Sequence, residues 1–77
     1  MNRDEARAWY VTTLLDKIRK DPYPSATQMS MVEAAVEKTP ELIPEYLNVL
    51  IEKVSDDRFP SVPMLQRIQR VSEQLPS

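Results

Sequence analysis

Asp21-Pro22-Tyr23-Pro24-Ser25 recurs thirty-six residues later as Asp57-Arg58-Phe59-Pro60-Ser61, so the chain carries the pattern Asp-x-aromatic-Pro-Ser twice. Proline interrupts a helix and serine caps the next one, which is the chemistry of a short connection between two helices. At the same offset, residues 5–40 overlay residues 41–76 without a gap. Outside the two turns the identities are Glu5/Glu41, Tyr10/Tyr46, Leu14/Leu50, Lys17/Lys53, Glu37/Glu73 and Pro40/Pro76. Val11/Leu47, Leu15/Ile51, Ile18/Val54, Met29/Leu65 and Val32/Ile68 are conservative pairs. A period of roughly 20–50 residues marks arrays in which one supersecondary unit cannot bury its apolar face alone and stacks on its neighbour. The reading is a single all-α domain over residues 1–77, built from two tandem αα-hairpin repeats, 5–40 and 41–76, as a compact bundle or a short solenoid.

Zero glycines and seven prolines support the all-α assignment, because tight β-hairpin turns depend on glycine or Asn-Gly. The prolines group at Pro22/Pro24, Pro40/Pro44, Pro60/Pro63 and Pro76, leaving helical segments near 4–20, 25–38, 44–56 and 61–74. Val11, Leu14, Leu15 and Ile18 share one face of the first segment, and Leu47, Leu50, Ile51 and Val54 repeat that stripe in the third. Met29, Val32, Ala35 and Val36 form the second stripe; Met64, Leu65, Ile68, Val71 and Leu75 form the fourth. Ser25 with Gln28 is a capping box, and Ser61 repeats the cap with Pro63 in the first turn. Thr39-Pro40 has the form of a further cap and first-turn pair, but Pro44 then falls late, which predicts a turn or kink at 40–43.

Bulk composition narrows the function. The chain has no cysteine and no histidine, so disulfides are impossible and a zinc site would have to be built from carboxylates. The net charge of −2, with six basic and six acidic residues in 1–38 and four and six in 39–77, runs against a general affinity for phosphate backbones. No targeting segment or membrane-length apolar run is present, so a cytoplasmic protein is the expectation. Without histidine, with both serine candidates used as caps and with no glycine for a phosphate cradle, neither an enzyme nor a cofactor is expected.

Comparing the two halves isolates the residues that architecture does not explain. Trp9 lies opposite its helix's apolar stripe and aligns with Glu45, so it either folds over the end of the hairpin, packs on the fourth helix or anchors an interface. Met31 and Ala34 align with Arg67 and Arg70, as expected if the second helix is internal and the fourth presents a polar outer face. Tyr23 and Phe59 are expected to plug the ends of the hairpin core, with a paired partner-binding clamp as the alternative. The acidic residues of the third segment, Glu41, Glu45, Glu52, Asp56 and Asp57, read as a solvated face.

A two-helix period near 36 closed by proline is similar in layout to tetratricopeptide hairpins. Their small-residue and glycine positions have no counterpart here, since bulky Leu15 and Ile51 follow Leu14 and Leu50, so the chain is not assigned to that family. The expected function is a non-catalytic protein-protein interaction module, self-associating or docking on a larger protein, with Trp9, Met31, Tyr23 and Phe59 as candidate contacts. The alternative is a helix-turn-helix DNA-binding regulator that reads bases with Arg58, Gln66, Arg67, Gln69 and Arg70, since arginine and glutamine recognise guanine and adenine edges.

Overall fold

The computed structural model describes residues 1–59 and 61–76. Its elements are α1 (Arg3–Lys20), α2 (Ala26–Val36), a single 3-10 turn (Pro40–Leu42), α3 (Ile43–Asp56) and α4 (Val62–Ser72), with no strand among the described residues. Among the described residues no helix is long and apolar enough to cross a membrane. The part played by Pro60 in the second turn lies outside the described residues.

Local chemistry accounts for the helix ends. The Asn2 side chain accepts the Glu5 N–H at 2.8 Å and starts α1, a cap that the sequence reading did not include. Ser25 Oγ accepts the Gln28 N–H while Gln28 Oε1 accepts the Ser25 N–H, both at 3.0 Å, completing the expected capping box. Ser61 Oγ accepts the Met64 N–H at 3.2 Å, without reciprocity, since the methionine thioether is only a weak acceptor. The expected turn at 40–43 is the 3-10 segment, and Pro44 fits the first turn of α3, where a missing N–H costs nothing. Thr39 is a correction. Buried at the end of α2, it makes no cap, and its hydroxyl instead donates to the Ala35 carbonyl at 3.3 Å.

α1 packs on α2 and on α3, and α3 packs on α4. The core joins Val11, Leu15 and Ile18 of α1 and Met29, Val32 and Val36 of α2 to Ile43, Tyr46, Leu47, Val49 and Leu50 of α3, closed by Val71 of α4. α3 touches α1, α4 and the 3-10 turn and reaches Glu33 of α2 through Tyr46, and it buries five residues where α1 and α2 bury three each. This corrects three expectations. α2 was expected to be the internal helix, yet Met31 and Ala34 are exposed. α1 and α3 were expected to bury matching stripes, yet Leu15 is buried and its equivalent Ile51 is 48% exposed; outside the stripes, the aligned identity Tyr10/Tyr46 likewise splits into a ring 38% exposed and one wholly buried. Of the α4 stripe only Val71 is fully enclosed; Met64 and Ile68 are half-buried, and Leu65 and Leu75 are exposed. The physical reason is common to all three. A helix at the middle of a bundle needs apolar residues over a wide arc and one at its margin does not, so aligned positions with the same side chain meet different neighbours.

Candidate functional site

Both Asp-x-aromatic turns fold alike. Asp21 (φ −89°, ψ 119°) and Asp57 (φ −93°, ψ 127°) leave their helices in extended conformation. Each aspartate Oδ1 accepts an N–H two residues on, from Tyr23 at 2.9 Å and from Phe59 at 3.0 Å. These are Asx turns, which give each aspartate a structural task at a helix C-terminus where the macrodipole disfavours its charge.

The expectation that the two rings plug the core is wrong: Tyr23 is 89% and Phe59 83% exposed. With only four residues between the last residue of one helix and the cap of the next, the Asx turn and the serine cap fix the backbone at both ends. Ile18, Met29 and Val32 are buried without cover from either ring, and both rings project into solvent.

The two turns share one rim of the molecule and flank a cleft of about 540 Å³. Pro22, Tyr23 and Pro24 form one lip, Asp56, Asp57, Arg58 and Ser61 the other, and Met29, Val54 and Met64 provide the apolar lining. Lys53 is bound inward. Its Nζ donates to the Arg19 and Asp21 carbonyls, each at 2.7 Å, capping the C-terminus of α1 from α3. Lys17 and Lys53 are an aligned identity, yet only Lys53 makes this link.

A second cluster closes the seam between α2 and α4. Glu33 of α2 accepts from Tyr46 Oη at 2.6 Å and from Arg70 at 3.0 Å, and Arg67 Nη1 shares the oxygen that Tyr46 uses. Tyr46 Oη also lies 3.3 Å from the Met29 carbonyl. Burial alone would raise the Glu33 carboxyl, but hydrogen bonds from Tyr46, Arg67 and Arg70 outweigh it and hold the carboxyl below its ordinary range. Burial, reinforced by the adjacent Glu33 charge, pushes the Tyr46 phenol far above its ordinary range. The Arg67 guanidinium loses hydration, but Glu33 more than restores its charged form. The group is a cross-link of three helices, with each charge paired where the solvent is partly excluded.

The remaining candidate residues fall at separate places. Trp9 is 65% exposed on the outer face of α1, and Met31 is exposed on α2. Among the residues considered for DNA reading, Arg58 lines the cleft, Gln66 and Gln69 are exposed on α4, and Arg67 and Arg70 turn to Glu33. The polar outer face expected of α4 is thus corrected for its arginines, which face the α2 seam. Glu33 was the residue missed; the available signal was an arginine pair at i and i+3, able to converge on one carboxylate of a neighbouring helix. Among the described residues no group of three potential ligands could hold a metal ion. The chain matches no protein-family model, no curated protein and no solved structure.

Proposed function

We propose that the chain is a non-catalytic helical interaction module that docks on a partner protein through the rim where its two turns meet. The observation that carries this reading is the exposure of Tyr23 on the lip of a methionine-lined cleft, with Phe59 equally exposed in the second turn, next to the lining residue Arg58. A ring left in water contributes nothing to folding, and exposed aromatics beside an apolar pocket are the usual anchors of an interface. Tandem duplication of one αα-hairpin belongs to the same proposal, supported by the shared Asx geometry of the two turns and weakened by the different burial of Tyr10 and Tyr46. The DNA-reading alternative has less support, because Arg67 and Arg70 are engaged by Glu33 and the net charge is −2.

The test compares wild type with Tyr23→Ala, Phe59→Ala and the double variant. Because both rings are exposed, each single change should leave unfolding free energy within about 0.5 kcal/mol of wild type, where a plug would cost about 3–5 kcal/mol. Quantitative affinity capture should lose its specific partners in the double variant, and sedimentation with and without Trp9→Ala reports self-association. Retention of the full captured set by the double variant would refute the docking rim.

A further inference from the structure

We infer that a second copy of this chain docks head to tail, its first hairpin (α1 and α2) covering the outer face of the second hairpin (α3 and α4) as the second covers the first within one chain. This rests on the duplication included in the reading above and is independent of the turn rim. It adds an interface and its occupant.

The contact between hairpins inside one chain has two sides. The first hairpin supplies Leu15, Ile18, Met29 and Val32, all buried, with the Glu33 carboxylate and the Arg19 and Asp21 carbonyls as acceptors. From the second hairpin Tyr46 donates to Glu33, Lys53 donates to both carbonyls, and Leu50 enters the shared core. Each side has a counterpart thirty-six residues away that stands open. Ile51 and Leu65, aligned with Leu15 and Met29, are exposed, and Ile68, aligned with Val32, is half-buried. Tyr10 and Lys17 are exposed and Leu14 is half-buried, whereas the identical Tyr46 and Leu50 are wholly buried and Lys53 is bound inward. Apolar surface open at both ends of a two-unit stack is what a further unit covers, and the chain's own first hairpin already carries the matching side chains. In the docked pair Leu14 of one copy seats on Ile51 and Leu65 of the other. Lys17 reaches the Ser55 and Asp57 carbonyls, which align with those of Arg19 and Asp21, and Tyr10 donates to the Gln69 amide oxygen.

The polar cluster supports the same register through three differences that fall together. Glu33 aligns with Gln69, and its partners Arg67 and Arg70 align with Met31 and Ala34. An acid held by two arginines within the chain thus becomes, between copies, a neutral amide facing Met31 and Ala34, so no charge is buried unpaired. Other differences weaken the contact. The Arg19 and Glu52 ion pair becomes Ser55 with Asp16, and Arg7 stands where Ile43 packs, so dilute protein is monomeric. Trp9 aligns with the exposed Glu45 and stays outside the contact. The joint is heterologous: the front of one copy, Tyr10 and Lys17, meets the back of the next, Ile51 and Leu65, and a row can extend.

The experiment uses variants of the full chain at exposed sites. Tyr10→Ala/Lys17→Ala disables the front and Ile51→Lys/Leu65→Lys the back, with circular dichroism verifying both folds. Amide NMR signals of the wild type should broaden as concentration approaches about 1 mM, while those of either variant alone should not. When the isotope-labelled front variant is titrated with the unlabelled back variant, saturable shifts should appear at Ser55, Leu65 and Gln69, because the one intact front meets the one intact back. Met31→Arg/Ala34→Arg/Gln69→Glu rebuilds the carboxylate and arginine cluster between copies and should self-associate about tenfold more tightly than wild type. Wild type that stays monomeric at about 1 mM, or variants that do not complement each other, would overturn the inference and leave the docking rim, which Tyr23→Ala and Phe59→Ala test separately. Complementation with shifts at other faces, or a triple variant no tighter than wild type, would overturn the inferred register and with it the support for duplication.

Discussion

Replacing Tyr46 by phenylalanine isolates the cross-link that holds α2, α3 and α4 together. The side chain is fully buried, and its hydroxyl lies 2.6 Å from Glu33 Oε2. Phenylalanine preserves the ring and its packing, so what disappears is one hydrogen bond to a charged acceptor, a loss of about 1.5–3 kcal/mol. Glu33 keeps both arginines, and the larger penalty for an unpaired buried carboxylate does not arise. In a chain of 77 residues, each 1 kcal/mol shifts Tm by about 4–8 °C, so Tyr46→Phe should lower it by about 6–24 °C. Its aligned counterpart provides the internal control. Tyr10 is 38% exposed, and Tyr10→Phe should stay within about 0.5 kcal/mol of wild type. Urea unfolding followed by far-UV circular dichroism measures both, and a double-mutant cycle with Glu33→Gln reports the pairwise coupling. Equal effects at positions 10 and 46, or a coupling near zero, would refute the assignment of this network as a stabilising lock.

Three further outcomes follow from the same contacts. Glu33 titrates below its ordinary value of 4.5, so its contribution is present above that pH and is lost as pH falls through the lowered folded value. Tyr46 titrates above its ordinary value of 10.0, so its contribution is present below that pH and drains away as the unfolded phenol ionises above it. Thermal melts across pH should show both limbs, and an unchanged acid limb in Glu33→Gln would contradict the first. Leu50→Ala should cost about 2–5 kcal/mol, because Leu50 is fully buried, whereas the aligned Leu14→Ala should cost clearly less at its half-buried site. Equal shifts in urea midpoint would argue against this packing. Lys53→Met should destabilise by about 0.5–2 kcal/mol through its two lost carbonyl bonds, and Lys17→Met by less than about 0.5 kcal/mol. Equal losses at the two lysines would show that Lys53 does not cap α1.

Much of the backbone was legible because its signals are local. Ser25 with Gln28 starts α2 as read, the prolines delimit the helices, and the late Pro44 produces the 3-10 turn before α3. The side-chain environments were less legible. Aligned residues imply aligned surroundings only in an array whose units have equivalent neighbours, and here α1 has α2 and α3 beside it while α3 has α1 and α4. The candidate site was half visible: Tyr23 and Phe59 stood out as a pair, but were assigned inward. Their exposure depends on how the helices around them pack, which no property of the turn itself reveals.

What the sequence by itself determined is the all-helical character, the four helices and the chemistry of the two turns. Each rests on interactions spanning no more than a few residues, capping and proline exclusion; the Asx hydrogen bonds at Asp21 and Asp57 are equally local but were not read from the sequence. Tertiary structure decided that Tyr46 rather than Tyr10 is buried, that Arg67 and Arg70 converge on Glu33, and that Lys53 closes α1. These contacts join positions thirty-two to thirty-seven residues apart along the chain, or, for Tyr46 and Glu33, thirteen. Burial and charge pairing depend on which helix faces are brought together in space, and a repeating pattern along the chain carries no record of that.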